Sequence, residues 1–192
     1  YFHDIDGSGQ VIQSVSKFLN INNCIFKNIG LNNVSGNQGL INSSAENTVI
    51  ENSLFHNMIL SNSFISFGPN ENIFINNTVY EINISESAKL FSIGSSGTDL
   101  QISSSIIYNI NLSPNDYFYI YNNGNIDVWY SDFDIDLPMG IGLLGNINED
   151  PMFADPENGD LTLQWGSPAI DAGDPNSPLD SDGTRADMGA FF

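Results

Sequence analysis

Short runs of alternating apolar and polar residues recur along the first two thirds of the chain. Five share one shape: LNINNCIFKNI (19–29), TVIENSLFHNM (48–58), IFINNTVYEIN (73–83), LQISSSIIYNI (100–110) and IDVWYSDFDID (126–136). A period of two sends successive side chains to opposite faces, so each run reads as strand. Aligned on an inward aliphatic, the anchors are Ile21, Ile50, Ile75, Ile102 and Val128, at spacings of 29, 25, 27 and 26 residues. Five residues after each anchor comes Phe26, Phe55, Tyr80, Ile107 or Phe133. A further apolar strand precedes each anchor: QVIQSV, QGLINS, SFISFG, KLFSIG and YFYIYN in turn. Asn, Ser and Gly separate the strands, and no segment has a helical period.

A repeat this short cannot bury its apolar face alone, but stacked repeats bury a continuous column. The pattern predicts an all-β, right-handed parallel β-helix over residues 1–137, with strands of successive coils pairing in parallel. An antiparallel sandwich or propeller is the rival. Tight hairpin signals are scarce, and propeller blades use longer repeats. Two residues after the anchors stand Asn23, Asn52, Asn77, Ser104 and Tyr130. In a stack these positions superpose, and the three asparagines predict an amide ladder in a turn.

Composition narrows the function. The formal net charge is -19, from 23 acidic and four basic residues. Such a chain repels phosphate backbones and anionic membrane surfaces, and attracts hard cations. Acidic polysaccharides are poor direct ligands for the same reason. A single cysteine, Cys24, excludes an intrachain disulfide and reads as a small buried hydrophobe. No apolar run reaches membrane-spanning length. The opening YFHDIDGSGQ has neither Met nor a leader pattern, which reads as a piece of something longer.

After residue 137 the repeat breaks, and residues 138–192 become rich in Asp, Pro and Gly. A solenoid end needs a cap, and Phe153, Leu161, Leu163, Trp165, Ile170, Phe191 and Phe192 equip this segment to supply one. Its runs NINEDPMFADPENGDLTLQWGSPAIDAGDP and DSDGTRADMGAF resemble the C-terminal signature of secreted right-handed β-helix proteins. These are the choice-of-anchor or pectate-lyase-like β-helix surface proteins of bacteria and archaea. The resemblance covers about residues 128–192, with a looser Asn-rich coil pattern before it. It implies architecture and a secreted or cell-surface setting, since the fold hosts enzymes, adhesins and structural proteins alike.

Candidate chemistry is sparse. Lyases of this architecture need a basic catalyst, yet Lys17, Lys27, Lys89 and Arg185 do not converge. Asp132, Asp134 and Asp136 alternate along one strand face, which fits an acid/base pair less well than a solvated face or cation site. His3 and His56 are far apart, and His56 reads as exposed in a turn. The run Asp180-Ser-Asp182-Gly183-Thr184, with Asp187, resembles half a calcium loop, and Asp174 lies close in sequence. Arg185 reads as a structural clasp, paired with Asp171 or Asp187 in bidentate fashion. Tyr117, Tyr119 and Tyr121 alternate in YFYIY and form a candidate sugar-stacking face. Trp129 and Tyr130 are further aromatics of this kind. Asn33, Asn42, Asn76, Asn83 and Asn111 begin acceptor patterns for glycosylation, which an Asn- and Ser-rich chain matches by chance.

The reading that follows is a non-enzymatic extracellular structural or adhesive module, with calcium as the candidate cofactor. Copies of the chain or a polysaccharide are its expected partners, nucleic acid is not, and no membrane insertion is expected. The alternative is a carbohydrate-binding or polysaccharide-cleaving β-helix protein.

Overall fold

The computed structural model describes residues 1–7, 10–32, 39–85, 88–94, 97–121 and 123–190. Asn33, Phe191 and Phe192 lie outside them. The chain opens with β1 (Phe2–Gly7) and then repeats a three-strand coil. The first coil is β2 (Ile12–Ser14), β3 (Phe18–Asn22) and β4 (Ile25–Leu31). Next come β5 (Ile41–Ser43), β6 (Asn47–Glu51) and β7 (Leu54–Leu60), then β8 (Ile65–Phe67), β9 (Glu71–Ile75) and β10 (Thr78–Ile84). The last two coils are β11 (Phe91–Ile93), β12 (Asp99–Ser103), β13 (Ile106–Asn111) and β14 (Phe118–Ile120), β15 (Asn125–Trp129), β16 (Asp132–Phe133). Equivalent strands pair in parallel. They build sheet A (β1-β4-β7-β10-β13-β16), sheet B (β2-β5-β8-β11-β14) and sheet C (β3-β6-β9-β12-β15). This is a parallel β-solenoid.

Inward columns fill its interior. Sheet A contributes Phe2, Phe26, Phe55, Val79, Ile107 and Phe133 in register. The rings of Phe2, Phe26 and Phe55 stack face to face, with centroids 4.6 and 4.7 Å apart. Sheet C contributes Ile21, Ile50, Phe74, Ile102 and Val128. The third anchor is therefore Phe74, not Ile75, and the true spacings are 29, 24, 28 and 26 residues. A one-residue slip reverses every side chain that follows. It moves Tyr80 from the core to the outer face and puts Val79 inside.

The predicted amide ladder accordingly runs through Asn76. Asn23, Asn52, Asn76, Ser104 and Tyr130 all take left-handed backbone, with φ between 47° and 53°, where the chain turns from sheet C into sheet A. Asn tolerates that conformation best among residues with a side chain. Asn52 Nδ2 donates to Asn22 Oδ1 at 3.2 Å and Asn76 Nδ2 to Asn52 Oδ1 at 3.3 Å. Asp4, Asn28, Asn57, Glu81 and Asn109 form a second left-handed column that bends the strands of sheet A.

A third polar column is fully buried at Ser53, Asn77, Ser105 and Ser131. The backbone N–H of each rung donates to a side chain of the next. Cys24 N–H goes to Ser53 Oγ, Ser53 N–H to Asn77 Oδ1, Asn77 N–H to Ser105 Oγ, Ser105 N–H to Ser131 Oγ, and Ser131 N–H to Asn146 Oδ1. A turn that cannot continue the sheet ladder thereby keeps its N–H groups satisfied.

The C-terminal segment divides in two. Residues 141–147 run across the final rung, bridging Gly142 to Val128 and Ile147 to Asp132. The rest turns back as a strap over the outer face of sheet A. It contains the antiparallel hairpin β17 (Phe153–Asp155) and β18 (Asp160–Leu163). Phe153, Leu161, Ala169 and Met188 of the strap bury Leu54 and Ile106 of sheet A in a second small core. Asp174 N–H donates to Ser104 Oγ at 2.8 Å and Ala190 N–H to Thr78 Oγ1 at 2.9 Å.

Candidate functional site

The outer face of sheet B carries a polar groove. Register places Asn42, Ser66, Ser92 and Tyr119 in one outward column on β5, β8, β11 and β14. The strand alternation dictates this, because Ile41, Ile65, Phe91 and Phe118 face the interior. Beside the column run Ser43, Ser44, Gly68, Pro69 and Gly94. Together they form a groove of about 470 Å³, with Tyr119 and Tyr121 at one end. These two tyrosines are 43% and 46% exposed. Gly68 packs closely on the coil before it, where a Cβ would lie 2.6 Å from the Ala45 carbonyl oxygen. The chemistry is uniform: hydroxyls and a carboxamide that both donate and accept, and two aromatic faces. No carboxylate, histidine or basic side chain is among the described residues lining it.

Tyr117 does not join this surface. It follows the short 3-10 turn Pro114–Asp116 and has helical backbone, so the strand alternation does not extend to it. It is 1% exposed and donates its hydroxyl to Asp134 Oδ1 at 2.5 Å. Burial, and then Asp134, push the phenol far above its ordinary value. Trp129 is also committed, donating Nε1–H to Asp174 at 3.1 Å.

The four aspartates of the predicted calcium loop do not converge. Asp180 accepts from the Asp187 N–H at 2.9 Å, and Asp187 accepts from the Asp171 N–H at 2.7 Å. Asp182 accepts from the Thr184 N–H and hydroxyl, and Asp174 from Asn176 and Trp129. Among the described residues, no group of three or more His, Cys, Asp or Glu side chains is placed to hold a metal ion. Burial is the first cause that raises both Asp180 and Asp187, and the neighbouring aspartates add to it.

Arg185 does tie the strap together, but not through a carboxylate. Its Nε donates to the Gly173 carbonyl at 2.6 Å and an Nη to the Ala172 carbonyl at 3.0 Å. Its guanidinium lies 5.1 Å from the Tyr130 ring centroid. The expected partners Asp171 and Asp187 are linked to each other instead, through the Asp171 N–H.

Asp132, Asp134 and Asp136 do not share a face. Asp132 is fully buried beneath the strap, where Oδ1 accepts from the Glu149 N–H at 3.2 Å. Asp134 binds Tyr117 and the Ile110 N–H, and Asp136 is exposed. His56, read from sequence as exposed, is 3% exposed and meets Glu81 at 3.2 Å. Burial lowers its pKa, against the pull of Glu81. Of the four basic residues, Lys89 pairs with Asp116 and Lys27 lies beside His56 and Gly159.

No family model, curated protein or solved structure matches this chain. The architecture is therefore established from the stacked parallel strands themselves, and the groove from its own geometry. No helix among the described residues is long and apolar enough to cross a membrane.

Proposed function

We propose that this chain is a non-enzymatic, extracellular adhesive module of the secreted β-helix kind, and that it binds neutral carbohydrate along the outer face of sheet B. One observation carries the reading: Tyr119 and Tyr121 stand exposed at the end of a groove floored by Asn42, Ser66 and Ser92. Aromatic faces stack on the C–H faces of pyranose rings, while hydroxyl and carboxamide groups exchange hydrogen bonds with sugar hydroxyls. Parallel rungs repeat this floor about every 4.8 Å, a regular track for an extended chain. The net charge of -19 favours neutral over acidic glycans. Cleavage requires an acid/base pair, and the groove lining offers none.

The test is a panel of immobilised neutral and acidic polysaccharides, followed by calorimetry on any that bind. Tyr119→Ala and Tyr121→Ala should each weaken binding about tenfold, about 1.4 kcal/mol, with an unchanged circular dichroism spectrum. Failure to bind any neutral glycan, or full binding by the double variant, removes the reading.

Self-association is a second reading with its own observation. Val15 and Phe18 are exposed on the first coil, and Met139, Leu143 and Leu144 are exposed beyond the last rung. β1, β2 and β3 each pair on one side only among the described residues. Two apolar ends, the first with free strand edges, fit head-to-tail stacking of copies. Sedimentation at rising concentration tests this, and Phe18→Lys should return any assembly to monomers.

A further inference from the structure

The outer face of sheet A holds a second cavity that sequence patterning does not reveal. Register sets Lys27, His56, Tyr80 and Tyr108 on successive rungs of β4, β7, β10 and β13. The strap crosses in front of this column. Between them lies a cavity of about 400 Å³, lined by Tyr80, Tyr108, Asp150, Met152, Phe153 and Gln164, with two prolines at its edge.

Tyr80, Tyr108 and Phe153 give it an aromatic side. The rings of Tyr80 and Phe153 meet edge to face, with centroids 5.2 Å apart at 82°. Perpendicular rings give a corner rather than a slot. Tyr108 stands beside Tyr80 on the adjacent rung, about 4.8 Å along the sheet, and extends the wall. Asp150 is held in place, because its Oδ1 accepts from the Met152 N–H at 2.8 Å. Gln164 is anchored by donating to the Phe153 carbonyl at 2.9 Å.

The charges that act on its two tyrosines are negative. Burial first, and then Glu81, Asp150 and Glu157, raise the Tyr80 phenol, opposed by a bond to Asn109. Burial, and then Asp150, Asp132 and Asp134, raise that of Tyr108. No basic side chain is among the described residues lining the cavity. Lys27 stops at His56 and Gly159.

An aromatic corner with a fixed carboxylate does not suit a hard metal ion, which needs several oxygen ligands. It does not suit an anion either. A soft, weakly hydrated cation satisfies both elements: aromatic faces attract it through their quadrupoles, and the carboxylate balances its charge. We propose that this cavity binds an organic ammonium ion, methylated or quaternary, with its head against Tyr80, Tyr108 and Phe153 and its charge facing Asp150. The site is separate from the sheet B groove and does not depend on it.

The test is a calorimetric and tyrosine-fluorescence titration with choline chloride at constant ionic strength. The neutral isostere 3,3-dimethylbutan-1-ol is run alongside. Saturable choline binding is expected, with the isostere at least about tenfold weaker. Tyr80→Leu and Asp150→Asn should each weaken choline about tenfold and leave glycan binding by the groove unchanged. Because Tyr80 also supports Phe153, the Asp150→Asn variant, altered at an exposed residue, decides the matter if the strap detaches in the other. Absence of saturable choline binding, equal affinity for the isostere, or full affinity in Asp150→Asn would overturn the proposal.

Discussion

The buried Ser/Asn column makes a quantitative claim about Asn77. Its Oδ1 accepts from the Ser53 N–H at 2.9 Å, and its Nδ2 donates to the Ile50 carbonyl at 2.9 Å. Asn77, Ser53 and Ile50 are all fully buried. Asn77→Ala leaves one donor and one acceptor without that partner and out of reach of water. At about 1–3 kcal/mol for each, the loss is about 2–6 kcal/mol. Asn77→Ser behaves differently, because serine already fills the same column. Ser105 accepts from the rung before it at 3.2 Å and donates to its own Ser103 carbonyl at 2.9 Å. A serine at 77 keeps the acceptor for Ser53 and loses only the bond to Ile50, so its cost falls to about half that of alanine. Urea unfolding followed by far-UV circular dichroism measures both, with an unchanged slope as the condition for comparison. An alanine variant within about 0.5 kcal/mol of the parent refutes the reasoning, as does a serine variant no better than alanine.

The register makes a second claim. Phe74→Ala should cost about 3–5 kcal/mol, whereas Ile75→Ala, on the half-exposed face, should cost under about 1 kcal/mol. The reverse order in thermal unfolding would restore the alignment on Ile75. A third claim concerns pH. Burial first, then Asp134, Glu149 and Asp150, push Asp132 up to about 7 from 3.8, against a bond from the Glu149 N–H. The folded chain thus holds a proton that the unfolded chain releases between about pH 4 and about pH 7. Stability falls as pH rises through that window and the penalty is constant above it. Asp132→Asn should flatten this fall, measured as urea midpoints across the window. Equal declines in variant and parent would show that the dependence comes from elsewhere.

The solenoid was legible because its strands alternate and recur at nearly constant spacing. The third anchor was not, and the reason is local. Ile73, Phe74 and Ile75 are apolar in succession, so alternation does not choose a face there. The next two residues are both Asn, so either alignment places an asparagine in the turn column. The groove floor was readable in LINS, FISF and LFSI, whose third residues are Asn42, Ser66 and Ser92. Tyr117 was misplaced because Pro114 begins a helical turn that carries it out of the strand. That proline was the available signal. Arg185 was assigned to aspartates because the tail is full of them. Those carboxylates satisfy backbone N–H groups nearby, and the carbonyls that hold Arg185 leave no trace in composition. The aromatic cavity and the burial of His56 depend on where the strap folds, which no local pattern encodes.

That strap changes how the molecule must assemble. Within the stack, a rung touches only the rungs before and after it, so coils can form in turn as the chain is made. The strap bonds are of another kind. They join residues 70 and 112 positions apart, and they form only after rungs three and four exist. Loop closure over such distances is slow, so docking of the tail is the late event in folding. Once made, it fastens several rungs from outside, and coils that would otherwise fray one at a time must open together. The strap thus decides whether the solenoid behaves as a row of separable units or as one.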